Sequence, residues 1–194
     1  MVVDGKQKKR LEHFLTGAST LPTTEIIRMA SVRDARLTER AVKGKVRCGV
    51  CERRCLIPER GSGFCKTRYN IDGSLYTIVY GSISSLSINP IEKKPFYHYW
   101  PGSRALTIGT WSCNFTCPWC QNYDISKRYP TPTDEIIEPR RLVKLALAEG
   151  CQGISFSFNE PTLLFEYALD TFPIARASGL SCHFVSNGYM TTEA

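Results

Sequence analysis

The chain has 194 residues, 42% of them hydrophobic and 22% charged, a balance typical of a globular protein with one sizeable core. This composition excludes a disordered chain, and no stretch approaches the roughly 18 uninterrupted apolar residues of a membrane span. The first residues are polar and lack the apolar centre of a secretion signal. We therefore expect a cytoplasmic protein with no membrane partner.

The basic balance of the chain raises the question of a nucleic-acid partner, since the formal net charge is +7. The lysines and arginines are scattered, however, and they form no recognisable nucleic-acid-binding module. Thiolates bound to metal would also lower the true charge by several units. Nucleic-acid binding is therefore a minor alternative.

Residues 1–35 read as an N-terminal extension with a short apolar patch and then a Ser/Thr/Pro-rich joint. Thr23 or Thr24 could cap a helix that begins near Ile26. Beyond the extension, Lys43-Gly44 and Asp72-Gly73 each separate two short runs of strand character, which predicts two β-hairpins.

Seven of the nine cysteines fall in two close sets, which favours metal or redox roles in a reducing compartment over disulfides. The first set is Cys48, Cys51, Cys55 and Cys65, whose four thiols would complete the coordination shell of one metal centre in a small loop-rich module. Structural zinc and an auxiliary iron–sulfur cluster both suit thiolate ligands, and the alternative is a set of free buried cysteines. Residues 36–102 are thus predicted as a cysteine-rich metal-binding module with its connector.

Residues 103–194 show alternating strand and helix patterns, which predicts parallel strands joined by right-handed crossovers. The remaining cysteines, Cys151 and Cys182, lie beside strands and are predicted core thiols. The predicted strands are 104–110, 153–158 and 181–185, and the predicted helices are 139–149 and 162–178.

The second cysteine set is Cys113, Cys117 and Cys120, at CxxxCxxC spacing, directly after the first of these strands. Three thiolates can hold a four-iron cluster and leave one iron without a protein ligand. An open coordination position distinguishes a catalytic metal site from a closed structural one. A zinc knuckle or a chance clustering is the alternative.

This spacing, with Trp119 just before the third cysteine, resembles the signature of the radical S-adenosylmethionine superfamily. The resemblance implies that Cys113, Cys117 and Cys120 bind a 4Fe-4S cluster and that Trp119 lies beside the adenine of S-adenosylmethionine. It also implies reductive cleavage of that cofactor to a 5′-deoxyadenosyl radical, with the cofactor carrying the chemistry.

The resemblance extends to the ends of the next two strands. A Gly-Gly-Glu-type turn in that superfamily receives the amino group of S-adenosylmethionine, and this chain has Asn159-Glu160-Pro161 at that place, without the two glycines. Ser186 and Asn187 resemble the positions that bind the ribose or the carboxylate. Asn-Glu-Pro-Thr is also a good helix start, because an acidic residue is favoured there.

The segments CGVCERRC, GSGFC, NPIEKKPFYHYWPGS, CNFTCPWCQN and FNEPT look closest to the AmmeMemoRadiSam-system radical enzymes, relatives of the pyruvate formate-lyase activating enzymes. This resemblance implies an electron donor such as a flavodoxin or ferredoxin, and a protein partner as the substrate of a glycyl-radical activase. The reaction itself is not defined by these residues. The rival hypothesis is a non-catalytic iron–sulfur or zinc protein, either an electron carrier or a basic nucleic-acid-binding module.

The expected fold class is α/β, a partial TIM-like barrel of the radical S-adenosylmethionine type, preceded by the small cysteine-rich module of strands and loops. Six βα units at roughly 30 residues each would need about 180 residues. Only 91 residues follow from Arg104 onward, which fits three strands. We therefore expect a barrel truncated after the third strand and no turnover by this chain alone.

Overall fold

The computed structural model describes residues 23–194. The apolar patch of the predicted extension, and residues 1–22 of the predicted segment 1–35, lie outside the described residues. The first described element, α1, is a single turn at Thr23–Ile26. The sequence predicts Thr23 or Thr24 as the cap of a helix that begins near Ile26, whereas the observed turn ends at Ile26.

Six short strands make up the cysteine-rich part of the chain. They form two antiparallel sheets of three strands each, with strand orders β2-β3-β4 and β1-β6-β5. These strands are β1 (Arg33–Asp34), β2 (Thr38–Arg40), β3 (Val46–Cys48), β4 (Leu56–Ile57), β5 (Arg68–Ile71) and β6 (Ser74–Thr77).

Both predicted hairpins are present. Strands β2 and β3 pair around Lys43-Gly44, and β5 and β6 pair around Asp72-Gly73. The tight β5–β6 turn needs two successive residues with positive φ, and Asp72 and Gly73 have φ of 52° and 76°. Aspartate tolerates this conformation better than most residues, and glycine adopts it freely.

The main sheet has four strands in the order β10-β9-β8-β7. Strands β8, β9 and β10 are parallel, as the alternating pattern predicts, whereas β7 pairs antiparallel with β8 and was not predicted. The strands are β7 (Ser85–Pro90), β8 (Arg104–Gly109), β9 (Gly153–Phe156) and β10 (Ser181–Phe184).

Three α-helices accompany this sheet, namely α2 (Tyr123–Ser126), α3 (Pro139–Ala148) and α4 (Phe165–Ala177). Helix α3 begins with proline at its first turn, as predicted, and buries Leu142, Val143 and Ala146. The predicted helix 162–178 begins instead as a 3₁₀ turn at Pro161–Leu164 before α4. The predicted strand 153–158 ends at Phe156, because Phe158 has a φ of 69°, which ends the extended backbone.

The main core lies between one face of this sheet and helices α3 and α4. Leu106, Ile108, Ile154 and Phe156 are completely buried there, and each side chain buried this way contributes about 1.5–3 kcal/mol. Cys151 belongs to this core and Cys182 packs against it, as predicted for both thiols.

The larger architectural predictions remain predictions. The sequence predicts a boundary between two parts of the chain at residues 102 and 103. Strand β7 lies before this boundary and pairs with β8, which lies after it. The sheet is open, and the truncated barrel stays an expectation. Within residues 23–194, no helix is both long and apolar enough to cross a membrane.

Candidate metal and cofactor site

The loop that carries Cys113, Cys117 and Cys120 leaves the carboxyl end of β8, where barrel enzymes place their chemistry. Ser112 opens the loop with a φ of 68°, held by a 2.9 Å hydrogen bond from its N–H to the carbonyl of Ile125. All three thiols are partly buried, and the Cys120 sulfur lies 3.2 Å from the Ser126 hydroxyl. The loop is therefore folded back on α2.

Asn159 braces this loop from the end of β9. Its side-chain oxygen accepts from the Thr110 N–H at 3.2 Å, and its amide donates to the carbonyls of Thr110 at 2.8 Å and Ser112 at 2.5 Å. Asn122 donates in turn to the Phe158 carbonyl. Residues in sparsely populated conformations cluster at functional sites when neighbours hold them, and both Ser112 and Phe158 are held in this way.

The carboxylate of Glu160 joins the ends of β9 and β10. It accepts hydrogen bonds from the Thr162 N–H at 3.1 Å, the Ser186 hydroxyl at 2.9 Å and the Asn187 N–H at 2.8 Å, and also from the Thr162 hydroxyl. Glu160 is only 2% exposed. The structure thus brings Glu160, Ser186 and Asn187 together, as the sequence predicts, with the carboxylate already engaged by the chain itself.

Asn114, which sequence reasoning missed, connects three parts of the site. Its side-chain oxygen accepts from the Asn187 amide at 2.9 Å, and its backbone carbonyl accepts from Arg53 Nε at 2.7 Å. Its amide nitrogen makes no hydrogen bond within the described residues, although the Asn114 side chain lies near enough to Cys51 to lower the pKa of that thiol. The only sequence signal was its position inside the CxxxC segment.

Trp119 and Cys113 differ strongly in their surroundings. Trp119 is 83% exposed, so its ring is free to cover a ligand. Burial raises the pKa of the Cys113 thiol, and the Glu160 charge raises it further, while backbone N–H groups of Phe115 and Glu160 lower it. A bound metal ion would offset this cost, because a coordinating thiol is deprotonated by the metal.

The first cysteine set is gathered around a small second core. Val46, Cys48, Val50, Ile57, Leu75 and Phe165 form this core, with Cys55 packed against it. Burial raises the pKa of Cys48 to about 11, and the neighbouring Cys65 and Cys51 add to the increase. Burial also raises the pKa of Cys51, again with contributions from Cys65 and Cys55. The charges of the four thiolates therefore act on one another.

Arg68, from β5, is the buried cation beside these thiols. Its Nη1 donates to Glu166 Oε1 at 2.6 Å, and its Nη2 is buried without a hydrogen-bond partner among the described residues. Burial lowers the pKa of Arg68, but Glu166, Cys48 and Cys65 raise it by more. Its charge also lowers the pKa of Cys48, so the guanidinium favours thiolates at this site.

The two cysteine sets are in contact through the segment that follows β10. Cys51 pairs with Met190 in an isolated β-bridge, and the Glu52 N–H donates to the Tyr189 carbonyl at 3.0 Å. The Tyr189 ring lies 5.2 Å from that of Phe115, inside the CxxxCxxC loop. This contact joins residues far apart in sequence, and no local pattern predicted it.

Cys113, Cys117 and Cys120 supply the type of ligand that a 4Fe-4S cluster requires. Three cysteines on one loop are the ligands that iron–sulfur clusters take in proteins. Across residues 23–194, no three Cys, His, Asp or Glu side chains are gathered closely enough to hold a metal ion. The loop therefore matches the cluster in the type of its donors. The first set supplies four thiol donors beside the buried Arg68 guanidinium.

One family model matches part of the chain. Residues 108–194 match the model of the Radical SAM superfamily. The match begins inside β8 and includes Cys113, Cys117 and Cys120.

The chain is also 41% identical over 166 residues to Uncharacterized protein MJ0808 of Methanocaldococcus jannaschii. The match covers 84% of this chain and 49% of that protein, so the chain spans about half the length of the curated relative it matches. No solved structure matches the chain.

Proposed function

We propose that Cys113, Cys117 and Cys120 hold a 4Fe-4S cluster and that S-adenosylmethionine binds at its open iron. The observation that carries this proposal is the position of three cysteines, at CxxxCxxC spacing, on the loop after β8, inside the segment that matches the Radical SAM superfamily model. When bound and reduced by one electron, the cluster supplies that electron to the sulfonium, which yields methionine and a 5′-deoxyadenosyl radical.

The residues of the chain would position this chemistry. Asn159 holds the start of the cysteine loop, and its three hydrogen bonds fix where Cys113 lies relative to β9. Glu160 fixes the ends of β9 and β10, so Ser186 and Asn187 face the same rim. Trp119 would cover the adenine, since its exposed ring is the aromatic surface next to the third cysteine. We propose Asn159 and Glu160 as cofactor-binding residues together with Ser186 and Asn187.

The substrate class is carried over from the resemblance in the sequence. We propose an AmmeMemoRadiSam-type enzyme related to glycyl-radical activases, which would receive its electron from a flavodoxin or ferredoxin and act on a partner protein. A TIM-like partial barrel, of which β8, β9 and β10 would be the first three strands, is the matching architecture. We propose a reducing compartment such as the cytoplasm, because seven of the nine cysteines fall in two close sets, which favours metal binding over disulfides.

We also propose that Cys48, Cys51, Cys55 and Cys65 bind a second metal centre, zinc or iron–sulfur. Two features support it: the mutual influence of the thiols on their pKa values, and the buried Arg68 with one unpaired nitrogen. A centre with four thiolates carries net negative charge, and a buried cation beside it would offset part of the cost of burying that charge.

Anaerobic reconstitution followed by iron and sulfide analysis tests the first centre. Cys117→Ala should lose the cluster and its visible absorbance, while the matched control Cys182→Ala, whose thiol packs against the main core, should keep both. A Cys117→Ala protein that keeps a full cluster would disprove the ligand assignment. The non-catalytic alternative would be supported if the cluster assembled but never responded to S-adenosylmethionine.

The second centre is tested by zinc and iron content of Cys55→Ala against the same control. The variant should lose one metal centre and keep the cluster at Cys113, Cys117 and Cys120. Loss of both centres together would argue for one shared site.

A further inference from the structure

The two faces of the main sheet differ in a way that the cluster does not explain. Side chains alternate along each strand, so one face carries the apolar residues that pack on α3 and α4. The other face, called here the inner face, carries small and polar residues. They form two rows across β8, β9 and β10, the first of Ala105, Gly153 and Ser181 and the second of Thr107, Ser155 and His183.

His183 is the largest side chain of that register and has no hydrogen-bond partner. The residue is 8% exposed, and neither ring nitrogen finds a partner among the described residues. The Phe96 and Tyr99 rings each lie 5.6 Å from its imidazole. Both rings belong to the connector, the segment between β7 and β8, and they cover the imidazole. Ser155, its neighbour on β9, is fully buried with a hydroxyl that also lacks a partner.

Lys94 brings a positive charge to the same place. The residue is 5% exposed, and no ion pair of the described residues includes it. Its amine lies 5.8 Å from the centre of the Phe158 ring, at the end of β9, and its charge lowers the pKa of His183 after the larger effect of burial. Burial lowers the pKa of Lys94 to about 8, and Lys93 adds to this shift.

A buried lysine without a counter-charge, beside an unpaired imidazole and hydroxyl, is costly unless a ligand satisfies it. Three donors without acceptors form a site for anionic oxygen, because lysine only donates and histidine and serine can each donate one hydrogen. Gly153 makes room for the imidazole itself, since a Cβ there would lie 2.8 Å from His183 Cε1.

We propose that Lys94, His183 and Ser155 bind a carboxylate or phosphate group of the substrate on the inner face. This inference rests on the proposed function, because the same strands lead directly into the cysteine loop and the Asn159-Glu160 turn. It names the substrate class as anionic. The connector with Phe96 and Tyr99 covers the group and has to move for the ligand to reach it.

Histidine-selective NMR tests the proposal directly. The chain contains three histidines, and His98 lies on the connector that has to move, so the His183 imidazole is followed with His13 as the internal reference. Titration with inorganic phosphate and, separately, with acetate should shift the His183 signals saturably, and the probe that does so identifies phosphate or carboxylate chemistry.

Lys94→Met is compared with Lys93→Met, which removes the same charge from the exposed neighbouring residue. Lys94→Met should weaken the binding roughly tenfold or more, and Lys93→Met should leave it nearly unchanged. Ser155→Ala, a smaller change at a buried position, should weaken it severalfold. No saturable shift with either probe, or equal weakening by the two lysine variants, would overturn the proposal.

The titration needs neither reduction nor turnover. Anion binding by a protein whose reconstituted cluster does not respond to S-adenosylmethionine would therefore refute the proposed function and keep this site. A cluster that responds to S-adenosylmethionine in a protein that binds neither probe would refute this site and keep the proposed function.

Discussion

Replacing Arg68 by methionine should destabilise the protein strongly. The guanidinium and the Glu166 carboxylate form an ion pair at 2.6 Å, with side chains only 3% and 6% exposed. Without Arg68, the buried carboxylate keeps one hydrogen bond, from the Arg36 N–H at 2.9 Å. Removing one partner of a buried pair costs about 3–5 kcal/mol, because the remaining charge stays buried without compensation.

Urea unfolding under anaerobic, reducing conditions measures this loss. Arg54→Met is the matched control, since Arg54 makes comparable ion pairs with Glu52 and Glu193 at the surface. That control should lose much less stability, because solvent screens exposed pairs. The double variant Arg68→Met/Glu166→Leu should recover most of the loss, as an apolar pair of similar volume often replaces a buried ion pair.

Two results would refute this reasoning. One is an Arg68→Met protein no less stable than Arg54→Met. The other is a double variant as unstable as the single one, which would mean that Arg68 acts through its packing, or through the neighbouring thiols, and not through Glu166.

Three further predictions follow from the site. Asn159→Ala should lower stability by about 1–3 kcal/mol and reduce the iron retained after reconstitution, because the Thr110 N–H and two carbonyls lose their partner. Unchanged iron retention would contradict the bracing role of Asn159. Lys94→Met should be more stable than the wild type in urea below pH 8, because the folded-state pKa of Lys94 is depressed and the unfolded state binds its proton more tightly. This advantage in stability should shrink as the pH rises from about 8 toward 10.5. An advantage independent of pH would contradict this. Limited proteolysis of Cys51→Ala should cut first between residues 45 and 75, whereas Cys182→Ala should not, and a uniform pattern of cleavage would contradict metal-linked folding there.

The local elements of the fold were predictable because their signals are local. The parallel strands β8, β9 and β10 and the start of α3 at Pro139 follow from hydrophobic runs and capping residues. The hairpin at Asp72-Gly73 follows from the positive φ that its turn needs. The end of β9 and the start of α4 differ from the prediction. Phe158 is held by Asn122 of the cysteine loop, and the 3₁₀ turn at Pro161–Leu164 is capped by the Glu160 side chain, which accepts from the Thr162 N–H.

Strand β7 was missed because its composition hides it. The segment Ser85–Pro90 is rich in serine and ends in proline, which reads as a connector, although Leu86 and Ile88 alternate as in a strand. The segment is a strand because its backbone pairs with that of β8, and the local sequence does not indicate this pairing.

The candidate site was predictable in its residue types and much less in its connections. CxxxCxxC spacing and the Asn-Glu-Pro turn indicated the residues at the strand ends. The bracing by Asn159, the role of Asn114 and the contact of Cys51 with Met190 join positions that are distant in sequence. Such contacts are set by packing and not by any short motif, and the same holds for the contacts of Phe96 and Tyr99 with His183.

The central claim is that three cysteines leave one iron open to S-adenosylmethionine, and electron paramagnetic resonance tests it most directly. The reconstituted protein is reduced anaerobically, and spectra are recorded with and without S-adenosylmethionine at saturating concentration. We expect the signal of a reduced 4Fe-4S cluster whose g values change when S-adenosylmethionine is added, in the wild type and in Cys55→Ala. A cluster signal that stays the same at every concentration of S-adenosylmethionine would contradict the account.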